Sequence, residues 1–266
     1  GLRHIKWKED DMKQAFLCVS FGTSVPAARK NITAVEEALK AERPDMDFYR
    51  AFTSPTIRRH LAARGETIWD VPEALDRLAE KGYRQVFIQP PHFLYGLEYE
   101  ALCAKVEEKK NLFSSLRLGK PLLAHTEDLR ALSQILSEAY PQKPGESLVL
   151  MGHGTPHFSN VVYPALQAVF HMLGRQDVFV GTVEGWPDLT ALLPQLREGG
   201  FRSVRLVPLM LVAGDHALDD MAGDEPDSWK QILLRENFEV TCVMQGLGQL
   251  KGVQALYCQH VRAIES

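Results

Sequence analysis

The feature that most constrains what this chain can fold into is an alternation of short, nearly unbroken apolar runs with longer amphipathic stretches. Segments 14–20, 47–53, 84–89, 147–151, 177–183, 203–210 and 239–243 are rich in β-branched and aromatic residues, which predicts strands. Segments 26–41, 71–81, 98–109, 127–139, 160–173, 187–197, 227–235 and 253–264 carry helical spacing, the first with Ser24 as its cap. Strands that are apolar on both faces and separated by helices belong to parallel sheets covered on both sides, since a parallel crossover needs about a dozen residues or more. The expected class is therefore α/β.

The alternation also repeats. FLCVSFGTS at 16–24 lies over VLMGHGTP at 149–156, with Gly22 and Thr23 on Gly154 and Thr155. DFYRAFTS at 47–54 lies over DVFVGTVE at 177–184, and VFIQPPHFLYGLE at 86–98 over VRLVPLMLVAGDH at 204–216. Three matching segments in one order point to an internal duplication. The expectation is two similar lobes, each a parallel sheet flanked by helices, over 13–125 and 126–266. Segment 111–123, with Gly119 and Pro121, and then 141–145 read as the changeover. Residues 1–12 read as an N-terminal extension, with Met12 a candidate natural start.

Charge and hydropathy exclude several partners. A net charge of -4 with both signs interspersed gives no basic footprint, so nucleic acid is not expected. The longest apolar runs, 147–151 and 204–213, fall far short of the ~20 residues of a membrane span, so a soluble protein without a membrane partner is expected. Residues 1–11 are polar and lack the apolar core of a signal peptide. The cytoplasm is the expected compartment, and the periplasm if an export signal has already been removed. Cys18, Cys103, Cys242 and Cys258 show no CxxC pairing and read as buried free thiols.

The two halves differ where their strands end. Phe21 stands opposite His153, Ser54 opposite Glu184, and Glu98 opposite His216. Each second-half residue follows the carboxyl end of a predicted parallel strand, where open α/β sheets place their ligands. Two imidazoles and a carboxylate form a donor set suited to first-row divalent ions, with positions left open for exchange. Gly152, Gly154, Gly185 and Gly214 beside them allow a flat ligand to come close. A strand-end histidine is also often a hydrogen-bonded rim residue, so spacing alone leaves a metal site and an acid–base site both open.

The segments MGHGTPH around His153, GTVEGWPD around Glu184 and PLMLVAGDHALDDMAGDEPDSWK around His216 resemble the anaerobic sirohydrochlorin cobaltochelatases of the CbiK type, which are related to ferrochelatase. VSFGTS, RAFTS and IQPPHFLYGLEYE resemble that family too. The resemblance implies a homo-oligomeric metal chelatase of two α/β lobes that holds a sirohydrochlorin-type tetrapyrrole in the cleft between them. It implies Co²⁺ as the substrate metal, with Fe²⁺ or nickel insertion by the same site, or a haem- or tetrapyrrole-binding carrier on the same fold, as alternatives, and His153, Glu184 and His216 as metal-binding and catalytic residues. No ATP is expected, and no GxxxxGK[ST] phosphate loop is present.

Other residues are candidates by position. His92 could line the cleft or serve as axial ligand to a bound haem or other tetrapyrrole, or be fixed at its strand end. Thr23, Ser24, Ser54 and Arg50 are candidate tetrapyrrole contacts. His157 is expected to turn away, and Arg58, Arg59 and Arg64 to form a solvated helix face. Asp215, Asp219, Asp220, Asp224, Glu225 and Asp227 form an acidic run that either draws cations to the cleft or is a solvated surface.

Overall fold

The computed structural model describes residues 13–265; the extension expected over 1–12, Met12 included, lies outside them. Each half of the chain builds one four-stranded, wholly parallel sheet. β1 (Gln14–Ser20), β2 (Asp47–Phe52), β3 (Gln85–Gln89) and β4 (Ser115–Leu118) lie in the order β2-β1-β3-β4. β5 (Glu146–Gly152), β6 (Val178–Thr182), β7 (Ser203–Pro208) and β8 (Glu239–Cys242) lie in the order β6-β5-β7-β8. The two orders are equivalent, so the repeat seen in the sequence is also a repeat of topology.

Alternation along the strands sends successive side chains to two different cores. Phe16, Cys18 and Phe87 from the first sheet and Leu148, Leu150, Val178, Val180 and Val207 from the second enter one common core. Their neighbours Ala15, Leu17, Val19, Val86 and Ile88 face a core private to the first sheet, and Val149, Met151, Phe179, Val204 and Leu206 one private to the second. Both faces of each sheet are thus covered, which is why the strands read as continuous apolar runs.

The common core is closed by helices that follow α1 (Pro26–Glu42). Next in the chain come α2 (Pro55–Ala63), α3 (Val71–Glu80) and α4 (Leu97–Lys109). α5 (Thr126–Ala139), which follows the first sheet, packs on α6 (Val162–Met172) of the second half. After α7 (Leu189–Glu198), α8 (Asp215–Ala222) and α9 (Trp229–Arg235), the final helix α10 (Lys251–Glu265) packs back on α1 and α5. Tyr257 of α10 is fully buried and donates its hydroxyl to the His92 carbonyl at 2.9 Å, and His260 bonds the Leu122 carbonyl at 3.0 Å. No helix among the described residues is long and apolar enough to cross a membrane.

Three elements differ from the sequence reading. β4 lies in the stretch read as a changeover; its four residues are mostly half-exposed at a sheet edge, too short to show a pattern. α2 and α8 are short helices directly after strand ends, and α8 is masked by its acidic composition. Ser24 does not cap α1: Val25 holds the cap position without a side-chain bond, and the Thr23 hydroxyl accepts from the Val25 N–H at 3.2 Å. Elsewhere the expected capping chemistry is present, with Ser54, Asp70, Asp188 and Ser228 each accepting from a backbone N–H of the following first turn.

Arg50 of β2, a candidate substrate contact, is committed instead to Glu36 of α1. Its guanidinium makes a two-pronged bond at 2.8 and 3.0 Å to a carboxylate that is only 1% exposed. Removing one partner of a buried pair strands the other charge. Arg50→Met should therefore destabilise the protein by about 3 kcal/mol in urea unfolding, and Glu36→Met in the same chain should recover most of that loss.

Candidate metal centre

The carboxyl ends of β5, β6 and β7 are adjacent, and they carry the three expected donors. His153 immediately follows β5. A Cβ on Gly152 would overlap the Tyr163 ring, and Gly154 has φ +79° with its backbone against Gly185, so glycine is required on both sides of His153. The β5–β6 pairing continues past the strands: the Val183 N–H donates to the Gly152 carbonyl at 3.0 Å and the Glu184 N–H to the His153 carbonyl at 2.8 Å. Glu184 is thereby placed beside His153. His216 is the second residue of α8, whose amino end is set by Gly214 in extended backbone.

The side chains of His153, Glu184 and His216 are all exposed to solvent. His153 is nevertheless surrounded by enough protein for desolvation to lower its pKa, opposed first by the charge of Glu184 and then by that of Asp220. A ring open to water on one side and walled by protein on the others is what a cleft residue looks like. Asp220 lies one helical turn after His216 on α8, and its charge reaches His153. Among the described residues, no three His, Cys, Asp or Glu side chains stand together at metal-holding distance. The fold gathers the expected donors at one sheet edge without drawing all three to a point.

Glu98, opposite His216 in the repeat, sits in the first turn of α4 behind Gly96, and burial raises its pKa. His92 is more enclosed: desolvation lowers its pKa to about 4, and its ring stands edge-on to Tyr99 with centroids 6.3 Å apart. Thr23 and Ser54 are buried, with their hydroxyls accepting backbone N–H bonds at the start of α1 and α2. Ser24 is half-buried, and Arg64 donates to its carbonyl. Arg58 bonds Asp70 at 3.5 Å, while Arg59 stays exposed. His157, on the loop after His153, is held by two partners. Its Nδ1 accepts the Ser159 N–H at 3.0 Å, which leaves Nε2 to bond Glu100 of α4 at 2.7 Å across the lobes.

The sequence reading missed an apolar rim on the same edges. Phe21 after β1, Tyr95 and Leu97 after β3, Phe158 after β5 and Trp186 after β6 are all exposed, Phe158 by 83% and Trp186 by 71%. Aromatic residues left bare at several strand ends mark a surface for a flat apolar ligand. The available signal was an aromatic residue next to a glycine shortly after a strand, as in Phe21-Gly22, Tyr95-Gly96 and Gly185-Trp186.

The family model described as "Cobalt chelatase (CbiK)" matches residues 14–265. The chain belongs to the CbiK cobalt chelatase family. The sirohydrochlorin cobaltochelatase of Salmonella typhimurium is 42% identical over 255 residues, covering 94% of this chain and 96% of that one. The sirohydrochlorin cobaltochelatase CbiKC of Nitratidesulfovibrio vulgaris is 33% identical over 258 residues, covering 96% and 91%. Among solved structures, SirB from Bacillus subtilis with Fe3+ superposes with a TM-score of 0.67 at 16% identity, covering 94% of this chain and 95% of that one. That likeness supports the two-lobed chelatase fold.

Two titrations follow for the CbiK-family site. Because Glu184 and Asp220 both raise the His153 pKa, Glu184→Gln and Asp220→Asn should each lower it further in the metal-free protein, as followed by NMR titration of the ring. For His92, the unfolded chain takes up a proton below the ordinary 6.5, whereas the folded chain does not until about 4. Stability is therefore lost as pH falls through that window, by about 3 kcal/mol at most. His92→Gln should remove this part of the difference between urea unfolding at pH 7 and at pH 4.

Proposed function

We propose that this chain inserts Co²⁺ into sirohydrochlorin, with the metal presented by His153, Glu184 and His216 at the cleft edge of the second sheet. The observation that carries this reading is the backbone pairing that fixes Glu184 beside His153 at adjoining strand ends. The CbiK family match and two relatives named for this reaction support it. In this reading the lobes are 13–125 and 126–266, and the macrocycle lies between them against Phe21, Tyr95, Phe158 and Trp186.

Insertion requires the metal to shed most of its water, the ring to lose two pyrrole protons, and the ring to distort so that its lone pairs reach the ion. His153 and His216 each replace a water with an imidazole nitrogen, and Glu184 supplies an anionic oxygen that offsets the ion's charge. In metal capture, His216 on α8 joins His153 and Glu184, which are already paired through their backbones. The lowered pKa of His153 keeps its nitrogen free of protons for that step. As the ion passes to the pyrrole nitrogens, His153 or Glu184 is released to take up the protons.

Asp219 and Asp220 on the exposed side of α8 hold negative charge beside the site and draw divalent ions toward it. The metal is not chosen by affinity, because nickel and copper bind such donors more tightly than cobalt. Fe²⁺ insertion is therefore a reaction of the same site. No nucleotide enters the cycle, in keeping with the lack of a phosphate-loop motif.

The test is an anaerobic spectrophotometric assay with sirohydrochlorin and Co²⁺ and no added nucleotide. Insertion should exceed the spontaneous rate, and His153→Ala or His216→Ala should lower kcat/KM by a hundredfold or more, taking ~100-fold as the upper range for groups one shell further out. Tight ring binding without rate enhancement would instead make the protein a carrier.

A further inference from the structure

The two loops that bear His153 and Glu184 are joined by a side chain that no part of the reading above uses. Asn160 lies in the 3-10 turn Phe158–Val161, between β5 and α6. Its carboxamide oxygen accepts the Thr155 N–H at 3.0 Å, two residues after His153. Its amide nitrogen donates to the Trp186 carbonyl at 2.7 Å, two residues after Glu184. The same amide packs directly on Gly185, where an added Cβ would lie 2.7 Å from the Asn160 oxygen. One planar group, donor on one edge and acceptor on the other, thus spans both donor loops.

The geometry points to Asn160 as a positioning residue that sets the spacing of Glu184 from His153, and so the strength with which Co²⁺ is held. The inference rests on the ligand assignment proposed above. Its physical basis is that a loop end fixed at one point still swings about it. On the strand side, the Glu184 loop is anchored by its own N–H on the His153 carbonyl and by the Gly185 N–H on the Thr182 hydroxyl at 3.1 Å. On the far side, Asn160 supplies the tie to the His153 loop. The loop is closed on itself by the Thr182 N–H and hydroxyl on the Pro187 carbonyl at 2.7 and 3.0 Å, so without Asn160 it keeps its turn but shifts as a unit against the His153 loop, and a displaced carboxylate no longer completes the donor set. Asparagine is needed because the two partners are of opposite kind. An aspartate there would set an oxygen against the Trp186 carbonyl and lose that bond.

The experiment measures Co²⁺ affinity of the full chain by anaerobic calorimetry without tetrapyrrole, for the parent, Asn160→Ala, Asn160→Asp, Glu184→Gln, His153→Ala and the Asn160→Ala/Glu184→Gln double variant. Thermal unfolding is followed in parallel. Asn160→Ala should weaken Co²⁺ binding about tenfold with the fold intact, the range expected for a residue that orients a metal ligand. Asn160→Asp keeps the Thr155 bond and the side-chain volume, and should weaken binding as well. In the Glu184→Gln background the loss on removing Asn160 should shrink below about twofold, because the residue acts through Glu184. In the insertion assay the Asn160 variants should show a raised KM for Co²⁺ with kcat little changed.

Unchanged Co²⁺ affinity in the Asn160 variants, beside weakened binding in Glu184→Gln, would overturn the positioning role and leave the ligand assignment standing. An undiminished loss in the double variant would overturn it also. If Glu184→Gln and His153→Ala bind Co²⁺ as the parent does, the ligand assignment fails and the positioning role fails with it.

Discussion

The molecule depends on one shared core. Two parallel sheets each turn one face inward to the same cluster, which α1, α5, α6 and α10 fill between them. Because α5 leaves the first sheet to pack on α6, and α10 leaves the second to pack on α1, neither half can separate without exposing apolar surface that the other covers. The fully buried Tyr257, bonded to the His92 carbonyl, shows how deeply the last helix of the chain is built into the first half. This shared layer fixes which strand ends open toward the cleft.

Equivalent topology carries different chemistry at the strand ends of the two halves. The ends of β5 and β6 present His153 and Glu184, and α8 after β7 presents His216 with Asp220 one turn on. The matching ends of β1, β2 and β3 present exposed Phe21, Ser54 used up as a helix cap, and Glu98 with a raised pKa. Imidazole and carboxylate side chains gather at the second-half strand ends, while exposed apolar residues stand at the strand ends of both halves. A duplicated scaffold allows this because residues at strand ends contribute little to the core and can diverge without disturbing it.

The first-half residues expected to touch a ligand have protein partners that position in the sequence does not show. Arg50, Thr23 and Ser54 are all at or near strand ends, yet Arg50 neutralises the buried Glu36, and the two hydroxyls hold the first turns of α1 and α2. A short polar side chain next to a helix start satisfies backbone donors before it meets a ligand. His157 also has a protein partner of its own. Its partner, Glu100, is far away in sequence and close only because α4 of the first half lies against the loop after β5.

By itself, the sequence determined the α/β class, the duplication, seven of the strands and the placement of His153, Glu184 and His216 at neighbouring strand ends. Those follow from hydrophobic periodicity and strand-end position, which are local and survive in one dimension. Only the tertiary structure decided that the halves share a core through exchanged helices, that Glu184 is paired to the His153 carbonyl, that Asn160 ties the loops bearing them, and that aromatic side chains stand exposed at several strand ends. These depend on contacts between residues that no spacing rule connects, and on which polar groups find partners first once the chain has closed on itself.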